Sequence, residues 1–286
     1  MGSELRCPIC RSFSARFYLA KDSYKIMQCR DCRFIFVAAE QGGTTDSQEQ
    51  YLKDKTSPSA YYRRTFYCDS MTFYKRLKIL TRFAPGRNIL DVGTNVGTFL
   101  LAAGKNGWRG WGIEPNPSAV EAGRKMGLHI TKGFFDRQFV SKTLKRQMLF
   151  DAVHLGDVIE HVREPVELLA SAAGLLKPGG VAMVVTPDFS SYFTRRFQVK
   201  PREHLGYFTA ATIKLALKNA GLDIIYCACS SRRRNLGAMD KGTTKLGAAE
   251  KLIMFIARLP GAGRVLSWLL SVAVKDEITV IGRYNP

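Results

Sequence analysis

The run Asn88-Ile-Leu-Asp91-Val-Gly93-Thr-Asn95-Val-Gly97-Thr-Phe-Leu100 constrains this chain more than any other stretch. Ile89 to Val92 is a short apolar segment of buried-strand type, a glycine-bearing turn follows, and Phe99-Leu-Leu-Ala-Ala opens a helix. A strand passing through such a turn into a helix lets backbone N–H groups approach a ligand closely. A second strand, Trp111-Gly-Ile113-Glu114, ends in an acid 23 residues after Asp91. A carboxylate at the tip of a neighbouring strand can accept both hydroxyls of a ribose.

The turn contains no lysine and does not fit G-x-x-x-x-G-K-[ST], which argues against a P-loop. A dinucleotide fingerprint wants G-x-G-x-x-G, and Asn95 stands at the third position of the turn. Asp91, just ahead of the first glycine, is awkward beside a pyrophosphate and suits a cationic amino-acid ligand. On these residues the chain resembles the class I S-adenosylmethionine-dependent methyltransferases, whose usual signature is (D/E)-x-G-x-G-x-G. Asn95 replaces the middle glycine, and asparagine tolerates left-handed backbone better than most residues. The resemblance implies S-adenosylmethionine held by Asp91, Gly93, Asn95, Gly97 and Glu114. It also implies an adenine contact from Phe134 and a wall at the methionine end from Asp157.

Downstream, strands and helices alternate as in a doubly wound α/β sheet. Strands are expected at 88–92, 110–114, about 128–130, 150–155, 180–186, 222–226 and 277–282, with Lys177-Pro-Gly-Gly180 as the turn before the fifth. Helices are expected over Pro165 to Leu176 and Ala210 to Ala220, and ahead of the first strand from Tyr61 to Phe83. That last helix carries Tyr61, Tyr62 and Tyr67 as ligand or packing residues. Phe150-Asp-Ala-Val and Leu-Leu-Lys-Pro-Gly-Gly-Val are characteristic of the same methyltransferases, so the resemblance covers 85–230 and returns at 277–283. It implies a seven-stranded, Rossmann-like sheet.

Ahead of this body, Cys7-Pro-Ile-Cys10 and Cys29-Arg-Asp-Cys32 are two C-x-x-C knuckles separated by 18 residues. Zinc takes four soft ligands in a tetrahedron, and two such knuckles supply them. Phe17-Tyr-Leu, Tyr24-Lys-Ile-Met and Phe34-Ile-Phe36-Val read as the strands of a zinc ribbon, with a structural zinc on Cys7, Cys10, Cys29 and Cys32. The expected organisation is a ribbon over 1–40, a polar linker over 41–60 and a methyltransferase domain over 61–286. Cys68, Cys227 and Cys229 lack ligand spacing and read as buried apolar residues.

Two stretches at the carboxyl ends of strands four and five hold the chemistry-bearing side chains: Gly156-Asp157-Val-Ile-Glu160-His161 and Arg202-Glu203-His204-Leu-Gly-Tyr207. An open α/β sheet places its ligands at those ends. Asp157, Glu160 and His161, at i, i+3 and i+4, would share one face of a short helical turn. With His204 they make a carboxylate–imidazole set suited to a divalent cation. The chain resembles small-RNA 2′-O-methyltransferases and ubiquinone-pathway O-methyltransferases, in which an acid-x-x-Glu-His segment holds a metal, joined in the former by a distant histidine. It also resembles sugar methyltransferases with an amino-terminal zinc module and a Glu-His pair after strand five, which implies Glu203-His204 as the catalytic pair with His204 as base. Both alternatives stand at this point. His129 and His154 fall on strands and read as structural.

A net charge of +19 attracts something anionic, whether nucleic acid, an acidic membrane surface or a phosphorylated substrate. Met1 to Arg11 does not read as a secretory signal and no apolar run reaches the ~18 residues of a membrane span, so a cytoplasmic protein is expected. Residues 231–275 interrupt the fold before its last strand with Ser231-Arg-Arg-Arg234 and two apolar helical segments. This basic amphipathic insertion suits peripheral contact at the inner face of a membrane, or equally a cap on the cleft or on a partner. The functional expectation is methyl transfer to a hydroxyl of a small molecule of glycan, lipid-linked sugar or isoprenoid type. The alternatives are sugar C-methylation, RNA 2′-O-methylation and a non-catalytic binding protein on the same fold.

Overall fold

The computed structural model describes residues 5–38, 58–231, 255 and 275–286, with side chains from residue 70 onward in the helix that follows Pro58. Three short strands come first: β1 (Ala15–Lys21), β2 (Tyr24–Cys29) and β3 (Ile35–Val37). They pair antiparallel in sequence order, as the ribbon expectation requires.

Helix α1 (Pro58–Phe83) follows, starting three residues inside the expected linker. Its first residue is a proline, favoured at helix starts because its missing N–H has no partner to lose there. The body continues with β4 (Asn88–Val92), α2 (Thr98–Lys105), β5 (Arg109–Glu114), α3 (Pro117–Lys125), β6 (Ile130–Lys132), α4 (Arg137–Lys145) and β7 (Phe150–Gly156). A 3₁₀ turn (Ile159–His161) leads to α5 (Pro165–Ala173), β8 (Leu176–Pro187), α6 (Tyr192–Phe197), β9 (Gly206–Tyr207), α7 (Ala210–Asn219), β10 (Leu222–Ser230) and β11 (Glu277–Tyr284).

Seven strands form one sheet in the order β10-β11-β8-β7-β4-β5-β6. β11 runs antiparallel to both neighbours, and the β8-β7-β4-β5-β6 ladder is parallel. Alternate residues of each strand enter different cores, the period-2 rule for a sheet covered on both faces. Ile89, Ala152, Val181 and Met183 pack with Leu77 and Leu80 of α1 and with Phe99 and Ala103 of α2. Leu90, Val153, Leu155, Ala182 and Val184 pack on the other face with α5, α7 and the ribbon residues Cys7, Ile9, Phe34 and Phe36. The chain order reverses between β4 and β7, so the crevice beyond their carboxyl ends is where this architecture binds ligands.

The ribbon's sheet has a fourth strand drawn from the body. β9 pairs with β3, with Phe36 opposite Gly206 and Ile35 opposite Tyr207. Arg11 of the first knuckle also bridges to Glu164 at 2.6 Å, and Asn219 donates to the carbonyl of Ile9.

Four details differ from expectation. Lys177 to Gly180 lies within β8 rather than before it, with Gly179 at φ +76° absorbing the irregularity. The third body strand begins at Ile130, leaving His129 exposed ahead of it. The sixth extends to Ser230 because β11 supplies a ladder along its length. Cys227 and Cys229 are exposed rather than buried, since β10 is the sheet's edge strand. The insertion expected over 231–275, most of the 41–60 linker and the side chains of Tyr61, Tyr62, Tyr67 and Cys68 lie outside the described residues. Among the described residues, no helix is long and apolar enough to cross a membrane.

Candidate active site

The turn after β4 puts Gly93 at φ +68°, Asn95 at +50° and Gly97 at +84°. Asparagine is thus used where the usual signature has glycine, in the left-handed region that it tolerates. A Cβ on Gly93 would come within 2.8 Å of Val158, and one on Gly97 within 2.3 Å of Leu128, so the backbone must stay bare at both points.

The turn's N–H groups are directed otherwise than expected. Gly93 and Thr94 both donate to the Ile113 carbonyl, Gly97 donates to that of Thr94, and Val96 donates to Asn95 Oδ1. Asn95 N donates to Glu114 Oε2 at 2.8 Å, and Asn116 N donates to Oε1 of the same carboxylate. Donors from Gly93 to Gly97 are therefore already occupied, which disfavours a phosphate there. Glu114 is fully buried at the tip of β5, and its carboxylate accepts both of these N–H bonds. The bare turn and this acid fit an adenosyl ligand bearing a sulfonium.

Asp91, beneath the turn, is 3% exposed, and its Oδ1 accepts from His154 Nδ1 at 2.7 Å. Phe134 is exposed at the end of β6, open to a ligand. Asp136, two residues on, accepts from Phe139 N and so caps α4.

Glu160, His161 and His204 converge: one ligand atom from each lies within 4.8 Å of the others. Leu205 N donates to the Glu160 carbonyl, which pins the His204 loop to the 3₁₀ turn. His161 Nδ1 is 2.8 Å from the Glu203 carbonyl, and His204 Nδ1 is 3.1 Å from the Gln198 carbonyl. A carbonyl only accepts, so both Nδ1 atoms carry a proton. Histidines that bind metals are oriented in this way.

Burial raises the Glu160 carboxyl from near 4.5 to about 7, with neighbouring Asp157 adding to the rise and His161 opposing it; Thr186 Oγ1 donates to it. Burial also pushes the His204 imidazole down to about 3, helped by His161 and Lys200. A neutral imidazole with so little proton affinity is a better ligand than base.

Asp157 has φ +56° and precedes the 3₁₀ turn, while the converging ligand atoms come from Glu160, His161 and His204. Glu203 serves His161 through its backbone carbonyl, while its exposed carboxylate faces Lys200 at 3.4 Å. Sequence reasoning missed Thr186 and the Gln198 carbonyl; the position of Thr186 at the end of a strand flanking the cleft was the available signal.

In the ribbon, Cys7, Cys10, Cys29 and Cys32 offer four sulfurs within 4.8 Å of one another, at 3.6 Å for Cys7–Cys32 and 3.5 Å for Cys10–Cys29. Tetrahedral zinc with ~2.3 Å bonds needs sulfurs about 3.8 Å apart, so the set fits with little movement. The hydrogen bond from Cys32 lowers the Cys7 thiol to about 5, against the opposing effect of burial.

Comparison with known proteins accords with this arrangement. A family described as a methyltransferase domain matches residues 60–226, more than half of the chain. Ubiquinone biosynthesis O-methyltransferase of Alkalilimnicola ehrlichii is 32% identical over 97 residues, 33% of this chain and 39% of that protein. The enzyme of the same name from Coxiella burnetii is 28% identical over 113 residues, 37% and 47% of the two chains. The chain thus spans less than half the length of these curated relatives. Among solved structures, the methyltransferase complexed with the Trm112 activator of Haloferax volcanii superposes with a TM-score of 0.57 at 15% identity, covering 85% of this chain and 98% of that one. A SAM-dependent methyltransferase from Archaeoglobus fulgidus gives 0.52 at 16% identity, covering 75% and 94%. With the seven-stranded order and the turn after β4, these matches place the chain in the methyltransferase-domain family, on the class I S-adenosylmethionine-dependent methyltransferase fold.

Proposed function

We propose that this chain transfers the methyl group of S-adenosylmethionine to a hydroxyl of a small molecule of the glycan, lipid-linked sugar or isoprenoid class. The cofactor lies across the tips of β4 and β5, its ribose on Glu114, its ammonium towards Asp91, its adenine against Phe134 and its methionine end against Asp157. The sulfonium is already an activated donor, so alignment of oxygen, carbon and sulfur contributes most of the acceleration. The acceptor hydroxyl reaches Glu160, His161 and His204 at the ends of β7 and β8.

The observation that carries this reading is the convergence of two imidazoles on a buried carboxylate, one ligand atom from each within 4.8 Å of the others, with each Nδ1 held by a backbone carbonyl. The set suits a divalent cation, held by Glu160, His161 and His204. Such an ion lowers the pKa of a bound hydroxyl. The residues themselves orient the acceptor and keep water from the sulfonium. The metal-free alternative makes His204 the base, a role its depressed basicity disfavours. Sugar C-methylation requires that base and is the weaker reading for the same reason.

The test is calorimetry with S-adenosylhomocysteine, then transfer of labelled methyl from S-adenosylmethionine to catechol-type and hexose acceptors, with and without chelator. No binding of the demethylated product would end the enzyme reading. Full transfer after chelation would end the cation reading.

The net charge of +19 supports a second acceptor class, RNA, as in 2′-O-methylation, and salt-dependent RNA retention tests it. The four cysteines hold a structural zinc in this proposal, and the chain divides into a ribbon (1–40), a linker (41–60) and a catalytic domain (61–286). Peripheral membrane contact through 231–275 and a cytoplasmic location rest on sequence alone.

A further inference from the structure

A buried chain of polar side chains runs behind the proposed cofactor site and joins four separate elements. Glu277 Oε2 of β11 accepts from Arg76 of α1 at 2.9 Å. A second guanidinium nitrogen of Arg76 lies 3.4 Å from His154 Nε2 on β7, and His154 Nδ1 lies 2.7 Å from Asp91 Oδ1 on β4. All four residues are at most 5% exposed.

The partners set the direction of each hydrogen bond. Arginine only donates, so Nε2 of His154 accepts, and Nδ1 must carry the proton that it gives to Asp91. His154 Nδ1 thus hands Asp91 a hydrogen bond of fixed direction. Phe99, in the first turn of α2, stacks on the imidazole with centroids 3.9 Å apart and planes 10° from parallel, which holds the ring's plane. Gly156 keeps space open at the link: a Cβ there would stand 2.6 Å from His154 Cε1 and 2.8 Å from the Arg76 guanidinium.

We propose that His154 is a positioning residue for cofactor recognition: held by Arg76 and Glu277, it aims the Asp91 carboxylate at the amino group of the sulfonium cofactor. The inference rests on the reading above in which Asp91 receives that ammonium. His154 touches neither the cofactor nor the reacting atoms. It also makes α1 and β11 part of the cofactor site, because each supplies one link.

The test compares two ligands by calorimetry: S-adenosylhomocysteine, which carries the amino-acid end, and 5′-methylthioadenosine, which lacks it. A charge-assisted hydrogen bond contributes about 1.5–3 kcal/mol, so removing one weakens binding roughly 10- to 100-fold. Asp91→Asn is expected to weaken S-adenosylhomocysteine by that factor and to leave 5′-methylthioadenosine within about twofold. His154→Phe keeps the stacking on Phe99 and is expected to show the same split at about 10-fold, with the double variant no weaker than Asp91→Asn alone.

Should His154→Phe fail to fold, as judged by thermal unfolding and loss of 5′-methylthioadenosine binding, Gly156→Ala parts the same link by steric displacement and should reproduce the split. Equal weakening of both ligands by the His154 or Gly156 variant, or no weakening, would overturn the positioning role while Asp91→Asn still discriminates. If Asp91→Asn itself fails to discriminate, the ammonium reading of Asp91 is wrong and the inference falls with it.

Discussion

The imidazoles of His161 and His204 meet edge to face with centroids 4.9 Å apart, although 42 residues of chain separate them. Each is steered by a carbonyl of the 198–203 segment, so one loop orients both rings. Replacing His204 with alanine is expected to lower methyl transfer by about 10²- to 10⁴-fold. Binding of S-adenosylhomocysteine should stay within about twofold, because the proposed function puts His204 on the acceptor rather than the cofactor. Titration with Co²⁺, followed by its visible spectrum, should show the cation weakened at least ~10-fold in the same variant. Retention of the native spectrum would remove His204 from the ligand set.

Glu160 gives a pH prediction whose sign follows from its raised carboxyl. The folded state holds the proton up to about 7, whereas an unfolded glutamate releases it near 4.5. Its contribution is therefore fully present below 4.5 and is lost as pH rises through about 7. His204, pushed down from 6.5 to about 3, acts oppositely, and its contribution is lost as pH falls from 6.5 towards 3. Glu160→Gln retains an acceptor for Thr186 and removes the titration. At pH ~8 and without added metal it should unfold at higher temperature than the native chain, by a gain of up to about 3 kcal/mol, while losing activity. Denaturation at two pH values checks this; a variant less stable at pH ~8 would contradict it.

The ribbon cysteines give a third. Cys10→Ser or Cys29→Ser should abolish stoichiometric zinc, measured by atomic absorption, and lower the melting temperature by about 10 °C or more. Because β3 pairs with β9 immediately after His204, transfer activity should fall as well, with the residual protein still folded over its central sheet. Unchanged activity in a zinc-free variant would separate the two sites.

Asn95 offers a test of the cofactor turn. At φ +50°, Asn95→Gly should be neutral within about 0.5 kcal/mol, while Asn95→Val forces a branched side chain into left-handed backbone at a cost of roughly 1–2 kcal/mol. S-adenosylmethionine affinity should follow the same ranking. Equal behaviour of the two variants would show that the turn is not held in this conformation when the cofactor binds.

What could be read in advance was whatever local spacing encodes. The strand–turn–helix at 88–100, the acid at Glu114, the paired C-x-x-C knuckles and the Glu-His segments are all short-range patterns, and each fell on the element expected. What could not be read depends on which strand neighbours which. β9 is a two-residue strand with no periodicity of its own, and its pairing with β3 spans most of the chain. The Arg76–Glu277 bridge joins residues 201 positions apart, so no window of sequence contains both. Cys227 and Cys229 carry the residue type of a core and the position of an edge, and topology decided between them. The left-handed backbone of Asp157, ahead of the 3₁₀ turn, also lay beyond what helical spacing encodes.

The strand that β9 lends to the ribbon bears on how such a protein could be re-engineered. Exchanging the amino-terminal module for that of a relative would leave Gly206 and Tyr207 facing a foreign edge, with Phe34 and Phe36 gone from beneath Phe208. A working chimaera would have to carry the 198–208 loop along with the cysteines, so the crossover point belongs after Phe208 rather than at the end of the ribbon.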